Sequence, residues 1–261
     1  MSLLWFHPRM PADLKAIVKH TDRTLRIGEI EDFDGAHNGL QMENNGRVKR
    51  IAAAVDASLA TVRLAAEAGA DLLVVHHGLF WSPQHPWTGK KRELLAALVE
   101  NNLAVYSAHL PLDLHPRLGN NAGLCKALKF TRPKPFFEER GTAIGLRVGK
   151  RLCRDILRGK LKTILGSDPV LIKGGPSVCK KIGIVTGGAG NSLAVAAAEG
   201  VDTFITGEGA HWTAALAEEL EINVFYGGHY ATETFGVKAL AAHLSKKFRV
   251  PWEFLDHPTG L

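Results

Sequence analysis

The sequence predicts an α/β fold made of two interlinked, internally repeated lobes with mainly parallel sheets. Two observations predict it. Apolar, β-rich runs alternate with Ala/Leu-rich helical stretches, the order expected of parallel strands joined by crossover helices. The second half of the chain can also be laid over the first.

The first series reads strand 51–55, helix 58–68, strand 71–76, helix 91–101 and strand 103–107. Thr131-Arg-Pro-Lys-Pro135 then breaks the pattern and marks a connector, so the lobes are expected at 1–132 and 133–261. The segment from about 227 is left open to packing back on the first lobe. A strand over 142–148, an amphipathic helix from Leu152 to Leu165 and a strand over 169–173 lead into the second series. That series reads strand 182–186, helix 191–199, strand 202–206, helix 210–220, strand 223–226 and helix 231–246.

At an offset of 131, Ile51 pairs with Ile182, Gly69-Ala-Asp71 with Gly200-Val-Asp202, and Gly78 with Gly209. Farther on, Tyr106-Ser-Ala-His109 and Asp113 match Tyr226-Gly-Gly-His229 and Glu233 at an offset of 120. The offset falls by eleven, so the first half carries eleven extra residues, and they lie near Phe80 to Lys90. That stretch is rich in aromatics and chain breakers; a lid and a surface loop with Trp81 and Trp87 packed beneath it are equally good readings.

The composition excludes several classes. With 46% apolar and 22% charged residues, the chain is an ordinary globular protein rather than a disordered one. No apolar run approaches the roughly 20 residues that span a bilayer, and the start lacks a secretory pattern, so no membrane is expected. Three widely spaced cysteines argue against a disulfide framework or zinc knuckle and fit a reducing cytoplasm. The net charge of +6 favours anionic partners, small molecules first and nucleic acid second. Its basic residues are scattered, with short clusters such as Lys180-Lys181, and read mainly as a solvated face.

The chemistry gathers where strands end. His76 and His77 close an apolar run, and neutral imidazole is the commonest metal ligand. Adjacent residues on a regular strand point to opposite faces. The pair could therefore serve two neighbouring ions at a strand end, or be two turn histidines bonded to backbone carbonyls. The repeat sets His76-His77 against Gly207-Glu208, and His109 with Asp113 against His229 with Glu233. Because ligands of open α/β sheets bind beyond the carboxyl ends of strands, a cleft between the lobes would gather these residues as a metal site. His-x-x-x-Asp/Glu spacing puts both groups on one helical face, although Pro111 and Pro116 argue against a long helix at Asp113. Imidazole with carboxylate suits zinc, iron or manganese, and a two-ion site points to hydrolysis. Thr186-Gly-Gly-Ala-Gly190 lacks the last glycine of a dinucleotide fingerprint; a tight turn capped by Asn191 or Ser192 is preferred to a phosphate cradle. Glu208 and His211, one turn apart, are candidates for substrate contact or for a structural hydrogen bond.

These blocks resemble the type 2 homologues of GTP cyclohydrolase I, the Nif-three-like dinuclear metal-centre proteins. The resemblance covers nearly the whole chain and is carried by Asn38-Gly-Leu-Gln41, Val75-His-His-Gly-Leu-Phe-Trp81, His109-Leu-Pro-Leu-Asp113 with Gly119-Asn-Asn121, Ile184 to Gly190, Phe204-Ile-Thr-Gly-Glu208, Gly228-His-Tyr-Ala-Thr-Glu233 and Asp256-His-Pro258. It implies that His76, His77, Asp113, His229 and Glu233 hold two divalent metal ions per subunit. It also implies a toroidal homohexamer whose metal sites face an internal cavity. His109, paired with His229 by the repeat alone, is expected behind a ligand or as an occasional ligand, and Glu208 behind one. The leading function is a metal-dependent hydrolase acting on a nucleotide-like or heterocyclic anion. The alternative is a non-enzymatic hexameric scaffold that binds metal or nucleic acid.

Overall fold

The structure, a computed structural model, describes residues 10–81, 86–139 and 141–261. It divides into two compact units, one of residues up to Pro111 with Val237–His257, the other of Leu112–Gly236 with Pro258–Leu261. The lobes expected from the connector divide at 132; the contacts assign 112–132 to the second unit and 237–257 to the first.

In chain order the first unit contains β1 (Ala12–Asp13), α1 (Leu14–Leu25), β2 (Gly39–Met42), β3 (Arg47–Val48), β4 (Ile51–Asp56), α2 (Leu59–Glu67), β5 (Leu72–His77), α3 (Gly89–Glu100) and β6 (Ala104–Ser107). Then come α4 (Leu110–Asp113), α5 (Asn120–Ala127), β7 (Lys134–Glu139), β8 (Thr142–Cys153), α6 (Arg154–Leu165), β9 (Val170–Lys173) and β10 (Val178–Ile184). After a 3-10 turn at Ala189–Ser192 follow α7 (Leu193–Ala198), β11 (Thr203–Thr206), α8 (Thr213–Glu219) and β12 (Asn223–Tyr226). The helix α9 (His229–Phe248) starts among residues of the second unit, and β13 (Trp252–Phe254) belongs to the first.

The main sheet of the first unit has the order β13-β4-β5-β6-β2, parallel throughout except at β6/β2. Ile51–Val55 and Leu72–His76 are buried along their whole length, which is why both read as unbroken apolar runs. Val62 and Ala65 of α2 and Leu98 of α3 pack with Leu73, Val75 and Val105. A reciprocal cap between Ser58 and Thr61 starts α2 one residue after the strand-exit loop.

The expectation of mainly parallel sheets holds in the first sheet and only in part in the second. The order of the second sheet is β7-β8-β10-β11-β12-β9, and only β10/β11 and β11/β12 are parallel. The pairs β7/β8, β8/β10 and β12/β9 are antiparallel. Glu139 pairs with Thr142, a hairpin too short for the crossover that parallel strands require. The strand β8 also runs to Cys153, over the expected start of the amphipathic helix, and α6 begins at Arg154. Leu157 and Leu161 of α6 join Val148, Ile182, Ile184, Ile205 and Phe225 in this unit's core.

Of the stretch Phe80 to Lys90 read as a lid or surface loop, residues 82–85 lie outside the described residues. Among the described residues, no helix is long and apolar enough to cross a membrane.

Candidate metal centre

In the first unit the parallel strands deliver three imidazoles to one place. His76 and His77 end β5, and His109 follows β6 by two residues. The ring of His76 lies 4.9 Å from that of His77 and 4.8 Å from that of His109, centroid to centroid. One ligating nitrogen of each can be chosen so that all lie within 4.8 Å of one another. His76 is fully buried and His109 nearly so.

The partners of these rings fix their tautomers. His76 Nδ1 lies 2.9 Å from the Ala108 carbonyl oxygen, His77 Nδ1 2.8 Å from Asp56 Oδ1, and His109 Nδ1 2.8 Å from Asp32 Oδ1. Carbonyl and carboxylate oxygens accept, so each Nδ1 carries the hydrogen and donates it. The lone pair of each neutral ring is then on Nε2, the arrangement by which metal-binding histidines are oriented from behind.

Asp32 and Asn38 form the support of His109. Asp32 accepts from His109 Nδ1, from the amides of Phe33 and Leu110 at 2.7 and 2.9 Å, and from Asn38 Nδ2 at 2.7 Å. Burial opposes its ionisation, yet the His109 and Asn38 bonds outweigh this and hold its carboxyl below the usual range. Asn38 Oδ1 accepts from the His109 amide at 2.7 Å. Gln41 accepts from the Leu79 amide at 2.6 Å, and its carboxamide lies where a Cβ at Gly78 would stand, so a larger residue after His77 would have to displace the end of the Gln41 side chain. The Trp81 ring packs 5.1 Å from His77 and 4.5 Å from His109.

In the second unit, His229 opens α9 and Glu233 stands one turn on, with Nε2 to Oε2 at 3.2 Å. His229 Nδ1 donates to Glu208 Oε1 at 2.8 Å. Burial would lower the pKa of His229, but Glu233 and then Glu208 raise it to about 9. Gly187, at φ +74°, is held where a Cβ would strike the Glu233 carboxylate. Asp113 accepts from Asn120 Nδ2 at 2.8 Å, and Asn120 Oδ1 accepts from the Gly236 amide at 2.6 Å, tying Asp113 to the helix that carries His229 and Glu233.

Of the residues singled out in the sequence, the structure therefore groups His76, His77 and His109 in one unit. It groups His229, Glu233 and Glu208 in the other, and Asp113 is tied to the second set through Asn120. The His109/His229 correspondence extends to chemistry: each donates Nδ1 to a carboxylate, Asp32 or Glu208. His211 is exposed and lines a cavity with Glu208. The expected cap of α7 is not formed: Ser192 makes no side-chain cap bond, and Asn191 Oδ1 instead accepts from the Ala210 amide at 2.8 Å. Sequence reasoning missed Asp32 and Asp56. Asp56 carried a signal, since it ends the strand beside the one that ends in His77.

These His/Glu groups could hold a metal ion. The sequence pattern of the Duf34/NIF3 (NGG1p interacting factor 3) family matches residues 12–259. A protein of Deinococcus radiodurans named GTP cyclohydrolase 1 type 2 homolog is 40% identical over 247 residues, covering 94% of this chain and 93% of its own. One of the same name from Halobacterium salinarum is 41% identical over 255 residues, covering 95% and 100%. The crystal structure of TTHA1606 from Thermus thermophilus matches with a TM-score of 0.88 at 39% identity, covering 96% of this chain and 100% of that one. The resemblance seen in the histidine and glycine blocks thus extends over the whole fold, and the chain belongs to the Duf34/NIF3 family.

Proposed function

We propose that this chain is a metal-dependent hydrolase in which His76, His77, Asp113, His229 and Glu233 hold two divalent ions of zinc, iron or manganese. His109 serves as a further ligand or stands behind one, and Glu208 orients His229. One observation carries the reading: His76, His77 and His109 each set Nδ1 against a fixed oxygen acceptor, and one ring nitrogen from each converges within 4.8 Å of the others, the arrangement of histidines oriented from behind toward a cation. Bound there, such ions would supply Lewis acidity and lower the pKa of water toward neutrality.

The chain's own residues set the rest. Asp56 and Asp32 keep two rings in register, Gly187 lets Glu233 lie against the backbone, and Trp81 covers the His77/His109 face. The substrate class is a nucleotide-like or heterocyclic anion, in keeping with the net charge of +6. GTP is included because the relatives carry a cyclohydrolase name. We place the protein in the cytoplasm as a homohexamer, in line with its three free cysteines and its family resemblance.

Elemental analysis of protein purified without chelators should return two metal equivalents per chain. A nucleotide and phosphoester panel with those metals should show turnover that falls at least a hundredfold in His77→Ala and Glu233→Ala, at unchanged native mass. Equal turnover by metal-free protein would remove the hydrolase reading and leave a metal- or nucleic-acid-binding scaffold.

A further inference from the structure

A second cavity, of about 340 Å³, lies in the second unit and shares no residue with either histidine group. Arg132, Lys134, Arg147 and Lys181 line it, with Glu199 as its one acid. Two of these cations come from the stretch read as a connector and one from the Lys180-Lys181 cluster, read from sequence as part of a solvated face.

The sheet brings them together at a cost. Lys134 lies directly opposite Arg147 on the antiparallel pair β7/β8. Lys181 lies opposite Gly149, two residues on from Arg147, so the three side chains share one face of the sheet. Like charges set directly opposite one another weaken a sheet. Glu199 sets a single negative charge against four positive ones: its Oε1 accepts from the Glu138 amide at 2.9 Å, and Arg147 reaches only the Glu199 backbone carbonyl, at 3.1 Å. Among the described residues, none of the four cations forms an ion pair. Arg132 is moreover held at φ +53° before a proline, a left-handed conformation that non-glycine residues enter at a cost and that a following proline disfavours.

We propose that this cavity binds a polyphosphate group, the di- or triphosphate moiety of a small molecule. Guanidinium forks match phosphate oxygens two at a time, and lysines add point charge. An anion with several charges on adjacent groups offsets repulsion among four cations, which a singly charged ligand cannot do. The cavity is of small-ligand size, whereas nucleic acid is bound along an extended basic track.

The test is calorimetric titration of the full-length protein with sodium tripolyphosphate, beside inorganic phosphate and a short oligothymidylate. The expected result is one tripolyphosphate per chain, with affinity at least tenfold lower in Lys134→Ala and in Lys181→Ala. Neither side chain forms an ion pair among the described residues, so neither variant should melt below the parent, and Lys134→Ala, which relieves the charge opposite Arg147, should melt at or above it. Affinity should be unchanged in His77→Ala, which separates this cavity from the metal reading. Equal affinity in the two lysine variants, loss of binding in His77→Ala, or tighter binding of oligothymidylate than of tripolyphosphate would each overturn the proposal.

Discussion

A neutral imidazole binds metal only through the nitrogen that lacks hydrogen, so the atom behind the ring decides which side of it is useful. Asp56 makes that decision for His77 at 2.8 Å. Replacing it by alanine leaves the ring in place but frees it to turn. We expect Asp56→Ala to weaken metal retention about 10- to 100-fold, read by chelator competition, with little change in melting temperature. Retention equal to that of the parent would mean that Asp56 does not orient His77. The histidines themselves were legible in the sequence, because they end an apolar run and because one half of the chain can be set against the other. Their supports were not. Asp56 is 21 residues from His77 and Asp32 is 77 from His109, and an isolated acid at a strand end or in a loop looks like any solvated carboxylate until the strands are paired.

The elements that were legible are those buried on both faces, such as β4 and β5, whose composition alone defines them. The helix α1 was passed over although it carries the usual marks: Asp13 caps it through the Ala16 amide, and Leu14, Ile17, Thr21 and Leu25 recur on one buried face. The hairpin β7/β8 hides for a different reason. Its first strand, Lys-Pro-Phe-Phe-Glu-Glu, lacks the alternation of a half-buried strand, since the adjacent Phe136 and Phe137 are both buried between charged ends, and prolines at 133 and 135 resemble a linker. Turns between elements matter as much as the elements. Gly187, in the loop leaving β10, combines positive φ with close approach to Glu233. The substitution Gly187→Ala should cost about 1 to 3 kcal/mol in urea unfolding and displace the Glu233 carboxylate, lowering metal content in parallel. Full stability with unchanged metal content would show that the loop has slack the geometry does not display.

At the scale of the molecule, burial also governs how stability responds to alkali. Cys125 is enclosed in the second core, and burial pushes its thiol up to about 12 from an ordinary value near 9; burial also raises Cys179. In the unfolded chain these thiols ionise first, so above pH 9 the unfolded state binds fewer protons than the folded one and stability falls as pH rises toward 12. Urea unfolding at about pH 8 and about pH 10 should show this loss, and Cys125→Ala should lose less between the two than the parent does. An identical loss would assign the effect to other groups. The order of the first sheet bears on a different matter, the making of the protein. The outer edge of β4 is closed by β13, which follows it by about 200 residues in the chain. At a synthesis rate of about 5 to 20 residues per second, a nascent chain would present that apolar strand with one side open for about 10 to 40 s. During that time the edge is a template for any extended apolar segment, including the same segment of a chain on a neighbouring ribosome. Three residues, Trp252–Phe254, end that exposure, so errors in translating them would be felt as aggregation of a strand made about 200 residues earlier.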